Sequence, residues 1–264
     1  MVGQKSLVKF LGELCDSNSL PRFIILVGER GSESNLIAPA LSGRMGIDCI
    51  VLSDVKVDTI RNMTSQAYSV KSPVMFSIQD ADNMSPNARG AILKVVEEPP
   101  NKAYFIMTVT DIEGVLDTIK SRAQIYFLEP YSKEELSKYY HSNYHKEDEE
   151  IISFANTPGE IDILESQPDF FKYVKYVADN IFDVSGAESF SLLNKVSVKD
   201  DDGKYDLSLF LRAFQRECIH RKIYHAVSCT AHFKSELRIK GINRQMLLDD
   251  WCLSVRRAVK NGDR

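Results

Sequence analysis

The sequence has no excess of positive charge, no paired cysteines and no long apolar run, and each absence removes a class of protein. Lys and Arg total 33 against 37 Asp and Glu, a net charge of −4. No overall cationic field draws in nucleic acid, so any DNA contact has to be local or shared with other subunits. The five cysteines (Cys15, Cys49, Cys218, Cys229 and Cys252) are scattered, with no Cys-x-x-Cys. That spacing argues against a zinc site and a disulfide framework, and it fits a reducing, cytosolic setting. No apolar run approaches the roughly 18 residues that a bilayer span needs. The N-terminal residues show no signal-peptide pattern. At 264 residues the chain is long enough for two or three domains, and its 44% hydrophobic and 27% charged residues are ordinary for a globular protein.

The most informative stretch is Val74 to Gln124. A β-rich run, Val74 to Ile78, meets an acidic turn with Asp80 and Asp82. Ala88, Ala91, Ile92, Val95 and Val96 then recur on one helical face until Glu97-Glu98-Pro99-Pro100 stops the helix. A second apolar strand, Tyr104 to Val109, follows, and the stretch ends in Ser121-Arg122-Ala123. Strand, helix and strand in this order predict a parallel βαβ unit.

The helix ILKVVEEPP and the segment TIKSRAQ, in register with each other, closely resemble two signatures of the clamp-loader branch of the AAA+ ATPases. By motif the resemblance covers residues 1 to about 168; beyond that it rests on layout. It implies an α/β AAA+ P-loop domain, a parallel sheet with helices on both faces, over residues 1–128. A small helical lid over 129–168 and a C-terminal all-α collar domain over 169–264 complete the expected fold.

The N-terminal pattern agrees. Leu7, Phe10, Leu11 and Leu14 have helical spacing, Pro21 ends that helix, and Phe23 to Val27 reads as a buried strand. A loop, Gly28-Glu29-Arg30-Gly31-Ser32-Glu33-Ser34-Asn35, leads to an apolar helix from Leu36 to Leu41. Strand, glycine-rich loop and helix is where a P-loop belongs, but G-x-x-x-x-G-K-[ST] is not met. Gly28 fits the first position; Glu33, Ser34 and Asn35 stand where glycine, lysine and a hydroxyl residue are needed. A carboxylate repels phosphate, and the lysine charge is gone. The chain's Gly203-Lys204 pair has Val198 five residues before its glycine and lies in an acidic linker, so it is no substitute.

The resemblance locates three further positions of an ATP site. Counting back over the 22 residues that end in Pro99-Pro100 puts Gln79 on the metal-binding aspartate and Asp80 on the catalytic glutamate. Sliding by one restores an aspartate but leaves Ala81 as the base. Thr110, after Thr108-Val109, falls at sensor 1. In the region after the capping box Ser132-x-x-Glu135, helices at Glu147 to Asn156 and Glu160 to Glu165 flank Thr157-Pro158-Gly159. The sensor 2 arginine would fall at Asp162. Arg61, on the predicted amphipathic helix Val55 to Val70, is a candidate DNA contact.

Residues 169–264 are helical by pattern, with one stripe at Leu207, Phe210, Leu211, Phe214 and Cys218 and another at Leu248, Trp251, Cys252, Val255 and Val259. Within its branch the chain is most similar to the ATPase-inactive delta-prime type of bacterial DNA polymerase III, although the four-cysteine zinc module of many such subunits is missing. That likeness implies a non-hydrolysing subunit of a DNA sliding-clamp loader. Ser121 and Arg122 would serve in trans, Arg122 as an arginine finger for a neighbour. The chain would hold no cofactor or metal itself, with ATP and Mg²⁺ in partner subunits. Its partners would be the other clamp-loader subunits, the sliding clamp and primer-template DNA, in the cytoplasm. Two alternatives stay open: a divergent but active AAA+ motor, and an AAA+-like scaffold unrelated to replication.

Overall fold

The computed structural model describes residues 3–183, 186–197, 204–237 and 243–261. The chain divides into two compact units, Met1–Ile163 and Leu164–Arg264.

In the first unit α1 (Lys5–Asp16), β1 (Phe23–Val27), α2 (Ile37–Met45), β2 (Asp48–Leu52), α3 (Val57–Ser69), β3 (Val74–Ile78), α4 (Pro86–Glu97) and β4 (Ala103–Val109) alternate. A short α5 (Asp117–Lys120) and β5 (Gln124–Phe127) complete the sheet, and α6 (Lys133–Tyr144), α7 (Glu149–Phe154) and α8 (Pro158–Glu165) follow. The five strands are parallel in the order β2-β3-β4-β1-β5. This order agrees with the expected parallel α/β sheet, and it brings the C-terminal ends of β1, β3 and β4 side by side.

The central strands are buried on both faces, as parallel sheets require. Phe23, Ile25 and Val27 of β1 join Phe76, Ile78 and Phe105 in one core with Ile60 and Met63 of α3 and Ile92 and Val95 of α4. Ile24 and Leu26 point the other way, into a core with Leu11, Ile37, Leu41 and Ile106. Phe105 stacks between Phe23 and Phe76, with ring centroids 5.6 and 5.4 Å away. Phe10, which the helical spacing puts with the core residues, lies largely exposed and edge-on to Tyr126 at 6.0 Å.

Helix ends follow capping chemistry. Ser85 accepts from the Ala88 N–H with Pro86 at the first helical position, and the capping box of Ser132 and Glu135 is present. The helix expected over Glu147 to Asn156 is shorter, Glu149–Phe154, because the Asp148 carboxylate caps it at one end. Lys133 Nζ binds the Ser153 and Ala155 carbonyls at the other.

The second unit holds α9 (Phe170–Asn180), α10 (Gly186–Leu192), the two-residue strands β6 (Val196–Ser197) and β7 (Tyr205–Asp206), α11 (Leu207–His220), α12 (Tyr224–Glu236) and α13 (Arg244–Asn261). The predicted stripe of α11 is buried throughout, as are Leu248, Trp251, Cys252 and Val255 of α13. Trp251 packs edge-on against Phe210 and Phe214 and donates its indole N–H to Thr230 Oγ1 at 3.1 Å. Burial pushes the Cys218 thiol up to about 12. The β6–β7 pair was not anticipated by helical periodicity: it is a short ladder that seats Tyr205 against Tyr173 and Phe170. Val198, Gly203 and the side chain of Val259 lie outside the described residues.

Candidate functional site

The ends of β1, β3 and β4 surround a cavity of about 160 Å³. Its lining includes every residue from Gly28 to Asn35, together with Gln79, Asp80, Thr108 and Thr110. The loop and the two strand ends that the sequence singles out therefore converge on one site. Ser121, Arg122 and Arg61 are not part of its lining.

The loop is closely packed against the strand ends. The Gly28 N–H donates to the Val109 carbonyl at 3.0 Å, and a Cβ on Gly28 would meet Ser32 Oγ at 2.8 Å. Glu33 sits at φ 55°, a left-handed geometry suited to glycine, which costs a non-glycine residue about 1–2 kcal/mol. A 3₁₀ turn at Ser34–Leu36 then leads into α2. Three carboxylates, Glu29, Glu33 and Asp80, line the cavity against the one guanidinium of Arg30.

At the end of β3, the Gln79 N–H donates to the Leu52 carbonyl at 2.9 Å, and the Asp80 N–H donates to Thr108 Oγ1 at 3.2 Å. Thr110 turns to Asp82, giving its N–H at 3.2 Å and its hydroxyl at 2.5 Å to the carboxylate. Arg89 Nη2 donates to the Asp82 carbonyl at 3.2 Å. Asp82 is thus the buried organiser of this corner. The sequence marks it only as part of an acidic turn; its place one turn beyond the strand end is the signal that could have found it.

Residues beyond β5 also reach the loop. Tyr131 Oη donates to the Ser32 carbonyl at 2.6 Å, and Thr157 Oγ1 donates to the Arg30 carbonyl at 3.0 Å. Burial, with the Glu33 charge nearby, pushes the Tyr131 phenol well above its ordinary value. Asp162, at the place expected for a sensor 2 cation, accepts hydrogen bonds from Tyr139 (2.9 and 3.0 Å) and Tyr144 (2.8 Å). Burial and the bond to Asp162 likewise raise the Tyr139 phenol.

These side chains do not fit ATP with Mg²⁺. Glu33 sets a negative charge where the loop should close on phosphate, Ser34 supplies no ammonium, and Gln79 gives a neutral amide where a hard cation needs a carboxylate. Asp162, expected at the place of a cation, is not part of the cavity lining.

Ser121 and Arg122 follow α5 on the surface. Arg122 Nη1 donates to the Thr118 carbonyl at 3.1 Å and to Ser121 Oγ at 3.3 Å, so in the isolated chain the guanidinium folds over the end of its own short helix. Favourable charge at a helix C-terminus accounts for this position. Arg61 is exposed on α3, with its guanidinium 3.6 Å from the Asp58 carboxylate.

Comparison with known proteins finds a likeness in the central stretch. Residues 46–132 match the family model described as "DNA polymerase III, delta subunit". This stretch is similar to the domain that the model describes. It contains Gln79, Asp80, Thr110, Ser121 and Arg122 but not the loop Gly28 to Asn35. Similar sequences include the DNA polymerase III subunit gamma of Buchnera aphidicola from Schizaphis graminum, 26% identical over 166 residues, 52% of this chain and 46% of that protein. The DNA polymerase III subunit delta' of Haemophilus influenzae is 28% identical over 103 residues, 38% of this chain and 32% of that one. The chain thus spans about half or less of the length of these relatives. The crystal structure of a gamma subunit-related protein from Thermotoga maritima superposes with a TM-score of 0.58 at 18% identity, covering 95% of this chain and 99% of that one. The RuvB Holliday junction branch migration motor of the same organism gives 0.55 at 17%, covering 97% and 88%. At such identities the structural likeness speaks for the fold alone. No helix among the described residues is long and apolar enough to cross a membrane.

Proposed function

We propose that this chain is a non-hydrolysing, delta-prime-like subunit of a cytoplasmic DNA sliding-clamp loader, supplying Arg122 in trans to a neighbouring ATPase subunit. One contrast carries the reading. Ser121-Arg122 sits exposed at a helix end in the delta-subunit-like domain, while Glu33, Gln79 and Asp162 occupy the places where this chain's own ATP site needs glycine, a carboxylate and a cation. A subunit that does not hydrolyse ATP but keeps the finger has work only at a neighbour. A guanidinium suits it, being planar, always charged and able to fork onto phosphate oxygens. ATP and Mg²⁺ belong to the partner subunits in this reading. Residues 169–264, with their own aromatic core, serve as the assembly collar. The sliding clamp and primer-template DNA complete the partners, with Arg61 a candidate phosphate contact.

The test is a loader reconstituted with Arg122→Ala. Assembly and folding should be unchanged while the partner's DNA-stimulated ATPase and clamp loading fall; fingers supplied in trans are worth roughly 10³–10⁵ in rate in well-studied GTPases. Unchanged ATPase and loading in that complex refute the role. A divergent but active AAA+ motor is the second reading, favoured by the persistence of a cavity between the loop and the ends of β3 and β4. A micromolar ATP isotherm from this chain alone would decide for it.

A further inference from the structure

Three successive carbonyls of the degenerate loop are all claimed by the segment that follows the sheet. Thr157 Oγ1 donates to Arg30 O at 3.0 Å, the Gly159 N–H to Gly31 O at 3.0 Å, and Tyr131 Oη to Ser32 O at 2.6 Å. The backbones touch as well. A Cβ on Gly159 would lie 2.7 Å from Gly31 Cα, and one on Gly31 would lie 2.8 Å from Thr157 Oγ1. Gly31 also takes φ +81°, so both positions need glycine for the approach. Tyr131 is braced from behind: its ring lies 2.6 Å from where a Gly3 Cβ would be. The Gln4 side chain pairs with both backbone groups of Glu129, at 2.6 and 3.0 Å. Thr157 has a double task, since its hydroxyl also accepts the Glu160 N–H at 3.3 Å and so caps α8.

We propose that the loop Gly28–Asn35 has become a latch: it holds residues 129–163 in one position through the chain's own hydrogen bonds, with no nucleotide. A loop that binds phosphate works through its N–H groups. This one is used through its carbonyls, which a phosphate cannot engage, and the donors are a phenol, a hydroxyl and an amide already part of the fold. The helical segment α6–α8 therefore keeps its place whether ATP is present or absent. The proposal needs no partner subunit, and it stands or falls independently of Arg122.

Amide hydrogen exchange on the full chain tests it, read at α6, which Thr157 does not cap. In the double variant Tyr131→Phe/Thr157→Val, exchange across α6 should accelerate by about fivefold for each bond removed, while β1, β3 and β4 change less than twofold. Thr157→Ser, which keeps the hydroxyl, should stay at the wild-type rate, and Gly159→Ala should open the segment on steric grounds. In the wild type, ATP–Mg²⁺ should leave α6 exchange unaltered. Equal α6 rates in wild type and double variant, with the sheet intact, overturn the latch. So does a several-fold slowing of wild-type α6 by ATP–Mg²⁺, because a ligand would then be doing the closing.

Discussion

Nucleotide affinity offers the sharpest check, and its size can be worked from the loop. Glu33 stands in the left-handed turn where a glycine would let backbone amides close on phosphate. A carboxylate about 4 Å from a phosphate charge costs about 4 kcal/mol at an effective dielectric of about 20. Losing a lysine of similar reach at Ser34 removes an attraction of the same order. Together about 8 kcal/mol disappears, the whole binding free energy of a micromolar complex. The cavity of about 160 Å³ is also below the roughly 300–1,000 Å³ of pockets that enclose drug-sized ligands. Calorimetric titration of the full chain with ATP–Mg²⁺ should therefore give no isotherm at micromolar nucleotide. The variant Glu33→Gly/Ser34→Lys/Asn35→Thr should gain measurable affinity for ATP without Mg²⁺, and little more on adding the metal, since Gln79 remains. A micromolar isotherm from the wild type refutes the reasoning outright. A folded triple variant with no gain would show that charge is not what closes the loop.

Other consequences are cheaper to measure. Ser77 is fully buried in β3, and its hydroxyl has no partner among the described residues; Ser77→Ala should leave the chain as stable or about 1 kcal/mol more so in denaturant melts. Thr230→Val strands the indole N–H of Trp251 and should destabilise the helical unit by about 1–3 kcal/mol, read by fluorescence of the chain's one tryptophan. Tyr131, Tyr139 and Tyr173 have phenols raised in the folded state. Their contribution is fully present below about pH 10, where unfolded tyrosine ionises, and is lost as pH rises beyond that. Thermal melts should fall above that pH, and less steeply in Tyr131→Phe. On the clamp-loader proposal, a truncation ending at Glu165, which keeps the complete sheet and both its cores, should fold yet fail to enter a reconstituted loader; unchanged entry would refute the collar role proposed for residues 169–264.

Patterns read well where burial imposes a period. Phe23 to Val27 and Val74 to Ile78 are continuous apolar runs because each strand feeds two cores, and both lie where the sequence puts them. The α4 face and the Ser132–Glu135 capping box are equally local and equally legible. β5 carries little such signal: it is a four-residue edge strand, half-exposed along its length, so its composition does not announce it. Nor did helical spacing separate Phe10 from Leu11, since both satisfy the period and only one faces the core. At the candidate site, Glu33 and Gln79 stand out as departures from the motifs that the resemblance implies. The residues that answer them do not. Tyr131 and Thr157 act on the loop from 99 and 127 positions away, through backbone carbonyls that have no letter in a sequence.

That last point bears on how such a site keeps its shape. Polar groups at strand ends need partners once they are buried, whether or not a ligand arrives. Here Thr108 takes the Asp80 N–H, and Thr110 gives both its donors to Asp82. Asp162 likewise receives two phenols, those of Tyr139 and Tyr144. Each is an internal pairing, and those of Thr108 and Thr110 hold the corner at the ends of β3 and β4 through the chain's own groups. Restoring motif residues one at a time therefore meets a corner that already has partners, and Asp82 is the place to look. Replacing it by Asn keeps the shape but takes away the charge that Thr110 binds, and weakens two hydrogen bonds whose acceptor is ionised, each worth about 1.5–3 kcal/mol. Asp82→Asn should lower stability by more than any single change at Glu33, Ser34 or Gln79. If denaturant melts rank Glu33 or Gln79 substitutions as the more damaging, the corner is not held in the way these distances indicate.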